Sequence, residues 1–173
     1  MIKRRKLTTS LMRLLLHGRP VLDETKEHLT LVDEEGVVLM SWPLDDLSPA
    51  DLGYTFERRV GISLEDHGFD VDYRGLRLKM KDGGIDLVAV APGNVLHFYQ
   101  CKATAQRIGP QEIETILFKA GNFIASQNLE AHCHLVLAVV NRSIISGNAL
   151  HRWTRHNSLQ NKVQLRIEEY PWY

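Results

Sequence analysis

The run of residues 132–140, HCHLVLAVV, limits the fold of this chain more than any other segment. A strand that alternates apolar and polar residues buries only one face, whereas an almost continuously apolar strand is buried on both faces. We therefore predict that this run forms a strand inside a sheet whose two faces are both covered. A chain of 173 residues, of which 44% are hydrophobic, is long enough to supply the covering elements from one main domain.

The segments on either side of this strand predict the elements that cover the sheet. Ser48-Pro49-Ala50-Asp51 has the features of a helix start: a hydroxyl cap, a proline in the first helical position and an acid three residues after the cap. This helix is expected to end near Gly68. The order of all the predicted elements indicates an α/β sandwich with a mixed sheet. The further strands are predicted over 69–74, 85–90, 95–102 and 163–168, and the further helices over 110–127 and 147–156.

The first 47 residues predict a small extension of a different kind. Residues 7–17 have the leucine spacing of a short helix. The runs 28–32 and 37–42 flank an acidic turn that ends in glycine, and they predict a β-hairpin. We therefore divide the chain into an N-terminal helix and hairpin extension, residues 1–47, and a main domain, residues 48–173.

Charge is distributed unevenly along the chain, although the formal net charge is zero. A neutral total argues against a protein that coats nucleic acid through bulk charge. Residues 1–19 nevertheless carry six basic residues and no acid, whereas residues 20–57 carry ten acids and only Lys26 as a base. The stretches 74–81 and 142–166 are again purely basic. Local patches of this kind can follow a phosphate backbone, and solvated surface is an equally good interpretation of any one of them.

The cysteine content and the N-terminal segment bear on location. Two cysteines, Cys101 and Cys133, cannot form a disulfide framework or a four-sulfur zinc site, which is typical of a reducing compartment. The basic N-terminal segment contains an apolar run that Arg13 interrupts, and this run is too short for a signal peptide or a membrane span. We therefore expect a cytoplasmic protein with no membrane partner, in which oxygen atoms would hold any metal.

Polar residues interrupt the apolar pattern in the predicted hairpin of the main domain. If Ala91 pairs with Val95, counting back along both strands puts Asp86 opposite Gln100. The two-residue period of a strand puts Lys102 on the same face as Gln100. One face would therefore present a carboxylate, an amide carbonyl and an ammonium group.

These groups match the needs of phosphodiester hydrolysis. Mg²⁺ prefers oxygen ligands and usually takes one or two carboxylates together with water and substrate phosphate. Such an ion lowers the pKa of bound water, and a neighbouring ammonium group stabilises the negative charge of the transition state. Glu57, at the border of the apolar stripe of the first helix, offers a second carboxylate. Two alternatives remain open: Asp86 as a turn residue, and Glu57 as a surface acid that pairs with Arg58 or Arg59.

Four motif blocks occur in the same order as in a known family: Gly53-Tyr54-Thr55-Phe56-Glu57, Gly68-Phe69-Asp70-Val71, Asp82-Gly83-Gly84-Ile85-Asp86-Leu87-Val88 and Tyr99-Gln100-Cys101-Lys102. Over roughly residues 50–168 the chain resembles the Mrr-type restriction endonuclease domain of the PD-(D/E)XK superfamily. The resemblance implies a restriction-endonuclease-like α/β/α sandwich with a central mixed sheet.

The resemblance also implies a role for each matching residue. Asp86 would be the central metal ligand, Gln100 a neutral ligand at a position that is usually Glu, and Lys102 the catalytic lysine. Glu57 would assist the metal, and the backbone carbonyl of Cys101 would be a further ligand. The expected cofactor is Mg²⁺, with Mn²⁺ as a substitute.

These observations favour a Mg²⁺-dependent DNA endonuclease that acts in restriction, defence or another form of DNA processing. Two alternatives are a Holliday-junction resolvase and a catalytically inactive nuclease fold that binds DNA or protein. Cuts on opposite strands would suit a two-fold homodimer, in which residues 1–47 are a candidate contact. DNA contacts are expected from Arg77, Lys79, Lys81, Arg107 and Gln111, although loop and helix-cap roles fit the last two equally well.

Overall fold

A computed structural model of the chain describes residues 14–25, 27–78, 83–129, 131–159 and 162–172, without the side chains of residues 158 and 159. Within these ranges the strands are β1 (Arg19–Leu22), β2 (His28–Val32), β3 (Val38–Pro43), β4 (Asp70–Asp72), β5 (Leu87–Val90), β6 (Leu96–Lys102), β7 (Cys133–Val139) and β8 (Val163–Glu169). The helices are α1 (Pro49–Asp66), α2 (Arg74–Leu78), α3 (Pro110–Ser126) and α4 (Gly147–Leu159), with short 3-10 turns at Leu44–Asp46 and Arg142–Ile144.

A five-stranded mixed sheet in the order β4-β5-β6-β7-β8 forms the centre of the main domain. Strands β4, β5 and β6 pair antiparallel, whereas β6, β7 and β8 pair in parallel. Residues 136–139 of β7 are completely buried. The burial of this apolar strand on both faces is therefore confirmed.

Helices cover both faces of this sheet, as the α/β/α prediction requires. On one face, Phe56 of α1 packs in a cluster that includes Tyr99 of β6. On the other face, Ile113 of α3 and Trp153 of α4 pack in a cluster that includes Phe98 of β6. Because neighbouring residues of a strand point to opposite faces, Phe98 and Tyr99 belong to different clusters. No helix among the described residues is long and apolar enough to cross a membrane.

The N-terminal extension forms a three-stranded antiparallel sheet in the order β1-β2-β3. The predicted hairpin is present as β2 and β3, and its turn is closed by the Asp33 carboxylate, which accepts a hydrogen bond from the Val37 backbone N–H at 2.8 Å. The sequence analysis missed β1, which is short and contains a proline. Leu15 and Leu31 are buried in the cluster on the α1 side, so the extension packs onto the main domain.

The predicted N-terminal helix over residues 7–17 falls only partly within the described ranges. Residues 14–17 are helical, and residues 7–13 lie outside the described part of the chain.

Helix α2 was not predicted, because the sequence pattern suggested a strand over 69–74. The observed strand β4 pairs with β5 only over Asp70–Asp72. After it, the Gly75 backbone N–H donates to the carbonyl oxygen of Asp86 at 2.8 Å. This long-range contact draws the chain away from the sheet and into a short helix, which no local pattern could reveal.

The start of α1 has the predicted capping box. The Ser48 hydroxyl accepts a hydrogen bond from the Asp51 backbone N–H at 3.2 Å, and the Asp51 carboxylate accepts one from the Ser48 backbone N–H at 2.8 Å. Gly68, which follows the helix, has φ +82°, a conformation that glycine adopts without strain.

We expect Ser48→Ala to lower the free energy of unfolding by about 1 kcal/mol, because the substitution leaves the first helical N–H groups without their cap. Urea unfolding followed by circular dichroism would measure this difference. Ser63→Ala is the matched control, since it exchanges the same residue type inside α1, where alanine is the better helix former. An equal loss in both variants would contradict the capping role.

Two histidines of neighbouring strands stack within the sheet. His97 of β6 is paired with His134 of β7, and their ring centroids are 4.4 Å apart. The edge of the Phe69 ring also contacts His97. The side chain of His97 is only 6% exposed. Burial, together with the charges of His134 and Arg166, lowers the pKa of His97 from 6.5 to about 4.

The low pKa of His97 predicts a loss of stability in acid. The unfolded chain takes up a proton near pH 6.5, whereas the folded chain resists protonation down to about pH 4, so stability falls as the pH decreases between these values. The loss should amount to roughly 3 kcal/mol and should level off at lower pH. Denaturant unfolding of the wild type and of His97→Phe at several pH values would measure it.

The His97→Phe variant should have a smaller loss over this pH range, because its ring cannot titrate. His151→Ala, which removes an exposed histidine of α4, is the control. Its free energy of unfolding should change with pH as that of the wild type does. If the free energy of unfolding of His97→Phe falls with pH as steeply as that of the wild type, other groups cause the acid sensitivity.

Candidate active site

The backbone on both sides of Asp86 fixes its position at the start of β5. The register Leu87↔Tyr99 agrees with the predicted pairing and puts Asp86 opposite Gln100. The Asp86 backbone N–H donates to the Tyr99 carbonyl oxygen at 2.8 Å, and the Asp86 carbonyl oxygen accepts from the Gly75 N–H at 2.8 Å. Main-chain contacts from two other elements thus position this residue.

The Asp86 carboxylate is buried and accepts short hydrogen bonds. Asp86 is only 6% exposed. One oxygen, Oδ2, accepts from the Cys101 backbone N–H at 2.6 Å and from the Gln100 Nε2 at 2.6 Å. Hydrogen bonds to an ionised acceptor are stronger than neutral ones, which helps to offset the cost of burying the charge. A solvated turn residue would not have this environment.

Three polar groups converge at the Gln100 side chain. Its Nε2 atom lies 2.6 Å from Asp86 Oδ2 and 3.5 Å from the Cys101 carbonyl oxygen. Because the amide carries an oxygen and a nitrogen in nearly equivalent positions, a rotation of half a turn would put Oε1 in the place of Nε2. Carboxylate, amide and main-chain carbonyl oxygens would then face one another, and this is a ligand set that hard divalent cations prefer. The residues present therefore fit such a cation.

Lys102 lies at the exposed side of the same group of residues. Its Nζ atom is 2.9 Å from Oε1 of Glu112, which lies in the first turn of α3. The two side chains are 29% and 39% exposed, so the ion pair is weak and a substrate phosphate could replace the carboxylate. The sequence analysis did not identify Glu112, although an acid in the first turn of a helix beside the lysine strand was a usable signal.

A cleft of about 500 Å³ lies between the hairpin and α3. The hairpin side contributes Asp86, Gln100 and Lys102, so the structure brings together three of the four predicted catalytic residues. From α3, Gln111 lines the cleft as predicted, and its lining also includes Glu112, Thr115 and Lys119. Thr115 and Lys119 were missed. They follow Gln111 at intervals of four residues, which is the spacing of a single helix face.

Glu57 does not line this cleft. It is 8% exposed, and its carboxylate lies so close to Gly75 that a β-carbon at this glycine would overlap it. Burial, followed by the charges of Asp86 and Glu57, raises the pKa of the Cys101 thiol well above its usual value. Gly75, which contacts the Glu57 carboxylate, donates its N–H to the Asp86 carbonyl oxygen, so Glu57 lies beside the main chain of Asp86. Its assignment to the metal remains a prediction.

No group of three or more His, Cys, Asp and Glu side chains within the described ranges is arranged to hold a metal ion. The candidate ligands Gln100 and the Cys101 carbonyl are of other types. Any cation in this cleft would thus depend on neutral oxygens as well as on Asp86.

The predicted DNA-binding residues are spread over several elements. Arg77 of α2 donates to both oxygens of Asp72, with distances from 2.7 to 3.0 Å. Arg107 is exposed in the loop between β6 and α3. Lys79 and Lys81 lie outside the described residues.

Comparison with known families agrees with this geometry. A family model described as restriction endonuclease, Mrr-type catalytic domain, matches residues 51–153 and therefore more than half of the chain. A search of curated proteins and a search of solved structures each found no match. The matched range contains the hairpin, α3, most of α1 and every residue that lines the cleft. The chain belongs to the restriction endonuclease family with the PD-(D/E)XK-type catalytic domain and has a restriction-endonuclease-like nuclease fold.

Proposed function

We propose that this protein is a metal-dependent endodeoxyribonuclease that hydrolyses phosphodiester bonds in the cleft between the β5–β6 hairpin and α3. The observation that carries the proposal is the convergence of Asp86 Oδ2 and the Cys101 carbonyl oxygen on the Gln100 amide, with Lys102 in the same cleft. Family membership supports nuclease chemistry in general. The donor types support a divalent cation.

Asp86, Gln100 and the Cys101 carbonyl oxygen would hold Mg²⁺, or Mn²⁺ as a substitute. The cation would supply Lewis acidity toward a phosphodiester oxygen and activate water. Glu57, whose carboxylate contacts Gly75 next to the Asp86 main chain, would add negative charge close to these ligands. Because Gln100 is neutral, Asp86 would be the negatively charged ligand that binds the cation most strongly.

The ammonium group of Lys102 would orient the attacking water or stabilise the charge that develops on the phosphate. Its ion pair with Glu112 keeps it at the edge of the cleft until a substrate binds. Gln111, Thr115 and Lys119 on the opposite wall provide donors for phosphate oxygens. A substrate in the cleft would thus contact Lys102 and the cation site on the hairpin side and the residues of α3 on the other side.

We expect Asp86→Ala and Lys102→Ala each to reduce DNA cleavage at least 100-fold, because the first removes the carboxylate that would hold the cation and the second removes the ammonium group that would act at the reacting phosphate. The measurement is cleavage of supercoiled plasmid and of a four-way junction with Mg²⁺, Mn²⁺ or a chelator. The two substrates also separate restriction-type cutting from junction resolution.

Asp70→Ala is the control for this experiment, since Asp70 is an exposed carboxylate on β4. It should cut as the wild type does. Wild-type cutting by both cleft variants would exclude the proposed site. If the wild type cuts neither substrate and calorimetry detects no Mg²⁺ binding, the protein is a binding module with a nuclease fold.

The neutral side chain of Gln100 leads to a separate prediction. Gln100→Glu puts a second carboxylate beside Asp86 Oδ2 and removes the hydrogen bond of 2.6 Å, so the variant without metal should lose about 1 to 3 kcal/mol of stability at pH 8. Mg²⁺ should raise its melting temperature more than that of the wild type, because the cation relieves the repulsion.

Thermal unfolding with and without Mg²⁺ would measure both effects. Gln111→Glu serves as the control, as it adds a carboxylate to the cleft wall on α3. A Mg²⁺ response in Gln100→Glu that is no larger than in this control would contradict a cation beside Asp86.

A further inference from the structure

Phe118 is an exception to the amphipathic pattern of α3. Ile113, Leu117 and Ile124 of this helix face the core and are no more than 9% exposed. Phe118 is 70% exposed, more than any other large apolar residue within the described ranges. A single exposed aromatic residue is common on protein surfaces, so its surroundings decide whether it has a role.

Concave surfaces lie on both sides of the Phe118 ring. One, of about 510 Å³, is lined by Phe118, Glu114, Arg152, Arg155 and His156. The other, of about 460 Å³, is mainly apolar and also includes Asn122 and Lys162. Phe118, Leu117 and His156 line both of them, so the ring forms a ridge between two concave surfaces.

The charge of this region is positive. Three basic residues, Arg152, Arg155 and Lys162, line the two concave surfaces together with one acid, Glu114. The acid at the ridge, Glu114, already pairs with Arg152 at 3.0 Å, and both side chains are about half exposed. An aromatic ring among arginines is the combination that proteins use for unpaired nucleotides: the ring stacks on a base, and the cations contact the backbone.

The ridge lies on the same helix as one wall of the candidate active site. Lys119 lines the catalytic cleft, and Phe118 precedes it on the same helix. An α-helix with its side chains is only about 10 Å wide, so a strand that leaves the cleft over α3 reaches the ridge within a few nucleotides. Bases inside an intact duplex are already stacked on each other and offer no face to Phe118.

We propose that Phe118 binds an unpaired base of the DNA substrate, so that the nuclease acts on DNA that has a single-stranded segment next to the cut. This inference rests on the proposed nuclease function and names its substrate class. Arg152 and Arg155 contact the backbone of the unpaired strand, while the cleft holds the phosphate to be cut.

The test is fluorescence anisotropy of the full chain with a labelled single strand and with the matching duplex, in chelator so that no DNA is cut. Phe118→Ala should weaken single-strand binding about tenfold and leave duplex binding unchanged, because it removes one stacked base. Phe118→Trp should retain single-strand binding. Val95→Ala, at the far end of the hairpin from Gln100 and Lys102, is the control for loss of an exposed apolar residue.

Wild-type single-strand binding by Phe118→Ala would overturn the inference, as would equal weakening of single-strand and duplex binding. Sedimentation tests the other use of an exposed aromatic residue. A wild-type dimer that Phe118→Ala converts to monomers, with unchanged DNA binding, would show that the ridge is a protein contact. Binding in chelator does not depend on catalysis, so cleavage by the Asp86 variants tests the proposed function independently.

Discussion

A buried carboxylate needs hydrogen-bond donors, and this need organises the side of the molecule that contains the cleft. Asp86 is almost inaccessible, and two donors from β6, the Cys101 N–H and the Gln100 amide, satisfy its Oδ2 atom. Removing an ion from water costs several kcal/mol when partners are missing. A slip of one residue in the hairpin would turn Gln100 and Lys102 to the other face of the sheet, so the register and the site depend on each other.

The two faces of β6 carry different kinds of residue, with the polar candidate site on one face and the apolar core on the other. Gln100 and Lys102 point toward α3, where the ion pair between Lys102 and Glu112 connects the hairpin to the first turn of that helix. Cys101 points toward α1 and lies in the apolar cluster on that side. Regular elements on both sides hold the polar groups, and this gives a site more precise geometry than loops do.

Charge is unevenly distributed along the chain, although the total is neutral. The turns of the N-terminal sheet carry most of the acids of residues 20–57, whereas the segment that contains α3 and α4 has an excess of lysine and arginine. An anionic polymer would be attracted to the segment of α3 and α4, which orients the encounter as well as strengthening it.

The sequence by itself determined the elements of the main domain apart from α2, and the pairing of Asp86 with Gln100, because strand periodicity and a short turn fix the register of a hairpin locally. It also indicated the family, which the matched range confirmed. Only the tertiary structure decided that α2 follows β4, that Glu112 holds Lys102, and that Phe118 stands exposed beside the cleft. These features depend on how elements far apart in the chain pack across the sheet, and no local pattern records that packing.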